Sequence, residues 1–366
     1  MSRAGMALTA LAGSIFCLGC GDGNMGWERR PIFTEEYMHT FAVAITDSGN
    51  GFLGASIGSQ TSIREPNYKR ATAMDTAIIQ ATRDDWNSKK EAFRGKGEIN
   101  SLHHLDSGRL LAENSQVDLA TLTESTHFIQ WNGSVWKDVS SLDSRVVLIL
   151  TGGGSCVFAA SYPPGALTPP ILKVSFDGGA SWSSLTLGGM DPLGSRERDL
   201  LWMDPEGYLY AITTKSLEAF DLPHWKEHPT WKTLHSLPEG FKPIRMTGNS
   251  GGILSIGRLA DSSLAIWRVP KSGSPELLRT RGLLPTLNPD RIWARGSLLR
   301  VTGTEERLKD GETTGYRNWL FESKDNGTTW KDLDLPLKGS LGSIAFGEDG
   351  RIWAMAAGNR MQVYHP

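Results

Sequence analysis

Three short stretches hold side chains of the kind that chemistry uses. His103-His104 with Asp106 offers two imidazoles and a carboxylate, the ligand types a metal ion takes. Adjacent residues of a strand point to opposite faces, however, so the two rings cannot share one ion. The expectation is one His on an open face, the other packing, and no metal. Gly152-Gly153-Gly154 has the flexibility of a phosphate loop but no Gly-Lys-Ser/Thr after it, so it reads as a turn. Cys156 lies in the apolar run Ser155-Cys156-Val157-Phe158-Ala159-Ala160 and reads as a buried thiol, not a nucleophile. Glycoside hydrolysis needs two carboxylates facing each other across a cleft, and 40 Asp and Glu leave that pairing open. No cofactor is expected. A net charge of −2 gives no bulk field for nucleic acid.

Whatever these residues do, repeated elements must position them. Ser175-Phe176-Asp177-Gly178-Gly179-Ala180-Ser181-Trp182 recurs as Ser323-Lys324-Asp325-Asn326-Gly327-Thr328-Thr329-Trp330, so both read S-x-D-x-G-x-x-W. The residue types suit a hairpin. Asp folds its carboxylate onto backbone amides, Gly supplies positive φ, and Trp packs the turn down. Aligned on the Trp, further members follow at Trp86, Trp136 and Trp231, and a member without Trp falls near Glu276-Leu277-Leu278-Arg279. The period is about 49 residues, so this is a repeat architecture. Before each such hairpin runs a strand–turn–strand pair. The turns are expected at Asn50-Gly51, Asp106 to Gly108, Gly152 to Gly154, Asp204 to Gly207, Asn249 to Gly252, Asn288-Pro289-Asp290 and Glu348 to Gly350. That gives seven inner pairs but six outer hairpins. The free stretch Gly26 to Phe33 is left to complete the last one.

The S-x-D-x-G-x-x-W pattern resembles the Asp-box, or BNR repeat, of sialidases and related β-propellers. The resemblance implies an all-β fold of seven four-stranded blades, six being the competitor, with the N-terminal strand closing the last blade. It also implies that Ser175, Asp177, Gly179 and Trp182, with Ser323, Asp325, Gly327 and Trp330, mark structure and not activity. Sialidases in this family use three Arg on the substrate carboxylate, an Asp acid–base, and a Tyr nucleophile activated by Glu. Here Glu28-Arg29-Arg30-Pro31 keeps only Arg-x-Pro of the family's early segment. Tyr316, with Glu322 six residues on, is the late candidate and reads as a packing residue. Arg198, Arg245 and Arg300 are the available arginines, and each also reads as an ordinary solvated side chain. No catalytic residues are assigned.

The N-terminus reads as export. Met6 to Gly19 is apolar and too short for a stable span, and Cys17-Leu18-Gly19-Cys20 resembles a bacterial lipobox. The resemblance implies a signal peptide over residues 1–19, lipidation of Cys20, and a single propeller over 20–366. Gly21 after the Cys implies outer-membrane sorting, facing the periplasm. Cys17 would leave with the signal, so Cys156 has no disulfide partner. The expected function is a lipid-anchored, non-catalytic binding module. Its partner is a protein, such as a toxic effector neutralised by an immunity lipoprotein, with a sialidase-like or other glycoside hydrolase, or a glycan-binding protein, as the alternative. Membrane contact is through the anchor alone. The polar insertion Gln60 to Met74, the turn Leu222 to Thr230, and the residues Arg64, His103, Trp225 and Arg245 are the expected binding surface.

Overall fold

Strands form along the β-branched and aromatic runs, between Gly-rich turns. The structure, a computed structural model, describes residues 26–366 except 32–37, 47–49, 58–60, 65–69, 74–75, 107, 119, 122, 163–169, 187–199, 310–311, 338–340, 348 and 357–359. Residues 1–25, including Cys20 and the expected signal peptide, lie outside the described residues, as does Arg198. In chain order, β1 is Trp27–Pro31 and the first blade is β2 (Met38–Ile45), β3 (Gly51–Ile57), then, beyond a small hairpin of β4 (Thr61–Arg64) and β5 (Arg70–Ala73), β6 (Thr76–Thr82) and β7 (Lys90–Gly95). Blade 2 is β8 (Glu98–Asp106), β9 (Arg109–Asp118), β10 (Thr123–Trp131) and β11 (Trp136–Leu142). Blade 3 is β12 (Arg145–Thr151), β13 (Val157–Tyr162), β14 (Ile171–Ser175) and β15 (Ser183–Leu185). Blade 4 is β16 (Leu201–Met203), β17 (Tyr208–Ile212), β18 (Ser216–Asp221) and β19 (Lys232–Ser236). Blade 5 is β20 (Lys242–Asn249), β21 (Gly252–Arg258), β22 (Leu264–Pro270) and β23 (Glu276–Arg279). Blade 6 is β24 (Asn288–Arg295), β25 (Leu298–Lys309), β26 (Glu312–Ser323) and β27 (Lys331–Asp332). Blade 7 is β28 (Leu341–Phe346), β29 (Ile352–Ala356) and β30 (Arg360–Tyr364), with β1 as its outer strand.

The protein is therefore an all-β, seven-bladed propeller. Strand β1 runs antiparallel to β30, from Trp27 opposite Tyr364 to Pro31 opposite Arg360. Trp27 donates its Nε1–H to Leu333 O at 2.7 Å and its ring meets Tyr364 at 5.1 Å. This covers an edge that β30 would otherwise expose. Second strands such as β3 and β13 are buried almost continuously because each blade is sandwiched between two others, whereas the outer strands are largely exposed. Each junction between neighbouring blades has its own apolar cluster, for instance Phe52, Ile99 and Trp136 between blades 1 and 2, and Trp86, Trp353 and Met355 between blades 7 and 1.

Both complete motifs fold into the same knot. Ser175 Oγ accepts from Gly179 N at 2.8 Å and donates to Asp177 Oδ1 at 2.7 Å, while Asp177 accepts from Ser181 N at 2.8 Å and Ser181 Oγ at 2.6 Å. Ser323, Asp325, Gly327 and Thr329 repeat these four bonds at 2.8, 2.8, 2.8 and 2.6 Å. Gly179 and Gly327 have φ of 94° and 92°.

A third copy corrects the alignment. Thr82, Asp84 and Ser88 make the same bonds in blade 1, and Trp86 N donates to Thr82 Oγ1 at 3.0 Å. Trp86, at φ 69°, thus stands in the glycine place of the knot and Lys89 in the tryptophan place. Trp86 is not equivalent to Trp182 and Trp330. It still fills an inter-blade core, meeting Trp353 edge-on at 5.5 Å, which offsets its unfavourable φ.

A second correction concerns blade 6, whose inner turn lies at Gly296-Ser297 and not at Asn288-Pro289-Asp290. Pro289 sits near the start of β24, where a bulge between Pro289 and Arg291 accommodates its missing N–H.

Ser175→Ala leaves the buried Gly179 N–H without its acceptor, as Thr82→Val does for Trp86 N–H. Each should cost about 1–3 kcal/mol in urea unfolding. Unchanged midpoints in both variants would contradict the knot's structural role. Deletion of Trp27–Pro31 should lower the melting temperature and produce concentration-dependent association, because β30 loses its cover. A variant that stays monomeric and equally stable would show that β1 is dispensable.

Candidate functional site

Each inner strand begins at one face of the ring and passes down the central channel. Six of the seven carry a β-bulge near that beginning, at Thr40/Ala42, Ile99/Ser101, Val146/Leu148, Pro243/Arg245, Pro289/Arg291 and Leu341/Ser343. A bulge adds one residue and re-aims the side chain that follows it. Ser101, Arg245 and Arg291 all follow such a bulge. Arg245 and Arg291 end identical Pro-x-Arg segments in blades 5 and 6. Opposite each Pro stands a glycine, Gly257 or Gly303, where a Cβ would lie 2.4 or 2.5 Å from a backbone carbonyl. The close strand approach gives both arginines the same backbone setting.

Arg245 donates Nε–H to Asp290 O at 2.6 Å and Nη1–H to Ile244 O at 2.9 Å, so it bridges the inner strands of blades 5 and 6. From blade 2, His103 faces Arg291 closely enough to feel its charge. His103 Nε2 meets Ser101 Oγ at 2.7 Å, and Ser101 Oγ donates to Glu113 Oε2 at 2.8 Å. Burial first, then His104 and Arg291, pull the His103 pKa down to about 4, so the ring is neutral near pH 7. Burial of Glu113 pushes its carboxyl the other way, upward.

Ser, His and Glu in one chain of bonds suggest nucleophilic catalysis, but the order is wrong. In a triad the imidazole lies between hydroxyl and carboxylate and takes the hydroxyl proton. Here the hydroxyl lies in the middle and its hydrogen goes to Glu113. The set is a polar binding surface with donors from Arg245 and Arg291; the one N–H of neutral His103 goes to Ser101 Oγ, which leaves its Nδ1 as an acceptor. Among the described residues no group of three or more His, Cys, Asp and Glu side chains is placed to hold a metal ion.

The remaining candidates separate. Arg64 ends β4 in a hairpin with β5, and this hairpin joins β3 to β6 on the face where the inner strands begin. Arg245 lies on that face as well. Trp225 lies on the opposite one, in the turn between β18 and β19, half-buried against the cluster of Phe220 and Leu222. The expected surface is thus two surfaces. Tyr316 is 65% exposed and does not pack. Six residues of extended strand put it about 20 Å from Glu322, too far to be activated by it. Glu322 is bonded instead to Arg300 Nε at 3.0 Å and Nη2 at 2.9 Å. Arg300 is 1% exposed, donates to Gly350 O of blade 7 at 2.8 Å, and is not a solvated side chain. Burial raises the Cys156 thiol to about 12, so it is inert near neutrality.

Sequence reading missed Ser101, Glu113 and Arg291. The repeated Pro-x-Arg was a usable signal for Arg291; Glu113, on a second strand, had none. The expectation that the chain holds no G-x-S-x-G is also wrong, because Gly248-Asn249-Ser250-Gly251-Gly252 spells it. That segment ends β20, turns and starts β21, without the helix that a nucleophile elbow requires.

No protein-family model matches the chain, and no curated protein matches it. Solved structures do. The structure of YCF48 bound to D1 peptide is 15% identical with TM-score 0.55, over 93% of this chain and 97% of that chain. The protein lmo1340 of Listeria monocytogenes EGD-e is 9% identical with TM-score 0.55, over 88% and 90%. The Niastella koreensis GH74 enzyme is 12% identical with TM-score 0.53, over 91% of this chain and 53% of that chain. At these identities the likeness is one of fold.

An unfolded His binds protons near pH 6.5 and His103 only near 4, so the unfolded chain takes up more protons within that window. Stability contributed by neutral His103 is present above the window and lost as pH falls through it. Relative to His103→Gln, the native protein should lose roughly 2 kcal/mol between about pH 7 and pH 5. Parallel pH profiles in urea unfolding would contradict a half-buried His103 held neutral in the folded protein.

Proposed function

We propose that this protein is a lipid-anchored propeller of the bacterial envelope that works by binding another protein at the face where its inner strands begin. The observation that carries the reading is the duplicated Pro-x-Arg, which brings Arg245 and Arg291 to one channel opposite His103, with the β4–β5 hairpin on the same face. Guanidinium groups recognise carboxylates and backbone carbonyls well, so the partner offers an extended, acid-bearing segment. A solved neighbour of the same fold carries a bound peptide, which supports the mode of binding. The knotted turns support kinship with Asp-box propellers. The lipobox-like Cys17-Leu18-Gly19-Cys20 supports an anchor at Cys20 in the outer membrane, facing the periplasm. In that setting the partner is a secreted effector, and binding neutralises it.

The test uses the full chain as bait in envelope extract and in effector-containing secretions. A partner retained by the native protein should be lost from the Arg245→Ser/Arg291→Ser variant at a temperature where its melting curve shows a folded ring, some loss of stability being expected because Arg245 bonds Asp290 O and Ile244 O. Cys20→Ser should release the protein from the membrane fraction. Retention of the same partner by the double variant would refute the docking face. Turnover of fluorogenic sialosides or glycosides that vanishes in Tyr316→Phe would replace binding by hydrolysis.

A further inference from the structure

On the opposite face, blades 4 and 5 leave a cleft built differently from the channel. Two cavities of about 560 and 260 Å³ adjoin there and share Trp202, Glu206, Asn249 and Lys271 in their walls. The larger has the size of an ordinary small-ligand site.

Its floor is aromatic and held in place. Trp202 of β16 and Tyr210 of β17 are cross-strand partners with rings stacked at 5.5 Å and 29°. Beneath them Gly248 of blade 5 leaves bare backbone, where a Cβ would come within 2.6 Å of the indole. Tyr208, two residues before Tyr210 and so on the same side of the sheet, adds a third ring and is 38% exposed.

The walls carry both signs of charge. Asp204 accepts from Tyr208 N at 2.8 Å and Tyr210 Oη at 3.0 Å, and Glu206 Oε2 lies 3.5 Å from Lys271 Nζ. Lys232 lines the same cavity from β19. An anionic ligand would be repelled by Asp204 and Glu206, a cationic one by Lys232 and Lys271. A neutral polyhydroxylated ring meets neither penalty. Its hydroxyls find acceptors in the carboxylates and donors in the ammonium groups, and its C–H face lies on the aromatic floor.

We propose that this cleft binds a neutral saccharide through Trp202, Tyr208 and Glu206. Hydrolysis is not part of the proposal. Asp204 is taken up by Tyr208 N and Tyr210 Oη, and Glu206 lies 3.5 Å from Lys271 Nζ, so neither carboxyl is set as a free acid or nucleophile facing the other across a sugar. The site binds without cleaving, and it lies on the face away from Arg245 and Arg291, so it stands or falls independently of the protein-binding channel.

The experiment is saturation-transfer NMR and calorimetry on the full chain with cellohexaose, chitohexaose and maltohexaose, beside sialyllactose as an anionic probe and a chitosan hexamer as a cationic one. At least one neutral probe should bind, with transfer from aromatic protons and no new reducing ends. Tyr208→Ala and Glu206→Gln change exposed side chains, so the fold survives, and each should weaken binding about tenfold or more. Trp202→Ala should abolish it, provided the melting curve is kept. Failure of all three neutral probes, equal affinity in both surface variants, or preference for a charged probe would overturn the proposal.

Discussion

A hydroxyl and a carboxylate two residues apart pin the outer turns of three of the seven blades. In Ser175–Asp177, Ser323–Asp325 and Thr82–Asp84 the hydroxyl takes the backbone N–H four residues on, and the carboxylate takes the next free amide and hydroxyl. The turn then needs nothing from the blade except a place to dock. It docks on its own inner turn, through Gly178 N to Ser155 O at 2.8 Å and Asn326 N to Ser297 O at 3.2 Å. It also docks on the preceding blade, through Trp182 Nε1 to Ser140 Oγ at 3.1 Å and Trp330 N to Arg281 O at 2.8 Å. One local knot thus fixes the outer hairpin, the inner hairpin and the spacing between blades. Even at Thr82, where the glycine has become Trp86, the hydrogen bonds persist and the core is refilled from the new position.

With the blades spaced this way the channel is a consequence. Seven inner strands surround it, and bulges at matching positions decide which side chains look in. Two blades use that position for Arg and one for Ser101 with His103 behind it, so identical backbone carries different chemistry from blade to blade. Charge inside the packing serves another purpose. Buried Arg300 links Glu322 to the Gly350 turn, and its removal from one side of the pair would leave an uncompensated charge. Two of the side chains weighed for a glycosidase set, Arg300 and Glu322, are spent on joining blades 6 and 7.

Much of this was legible in the chain. The seven inner pairs, the two knots and the closing role of the N-terminal strand follow from turn chemistry at fixed intervals, because a repeat cannot bury its faces alone. The errors came from single residues read out of context. Trp86 was aligned by type, although the Thr82-x-Asp84 hydroxyl and carboxylate set the true register three residues away. Asn288-Pro289-Asp290 spells a turn, yet tertiary pairing draws it into β24. Tyr316 was expected to pack and is exposed, whereas Arg300 was expected in solvent and is buried. Burial of this kind depends on which blade is the neighbour, and that is set by the ring rather than by the segment. The channel was half visible. His103 and Arg245 were found as isolated residues, but Glu113 enters the site from a second strand, where no local pattern marks it.

The central claim is that the face carrying Arg245, Arg291 and the β4–β5 hairpin is where a partner protein docks. Amide hydrogen exchange of the full chain, with and without the purified partner, tests it most directly. The account predicts slowed exchange in Thr61–Arg64 and Arg70–Ala73, in the first residues of β20 and β24, and in β8 around Ser101, with the Asp177 and Asp325 turns unchanged. Protection confined to those turns, or to Leu222–Thr230 on the other face, would contradict it.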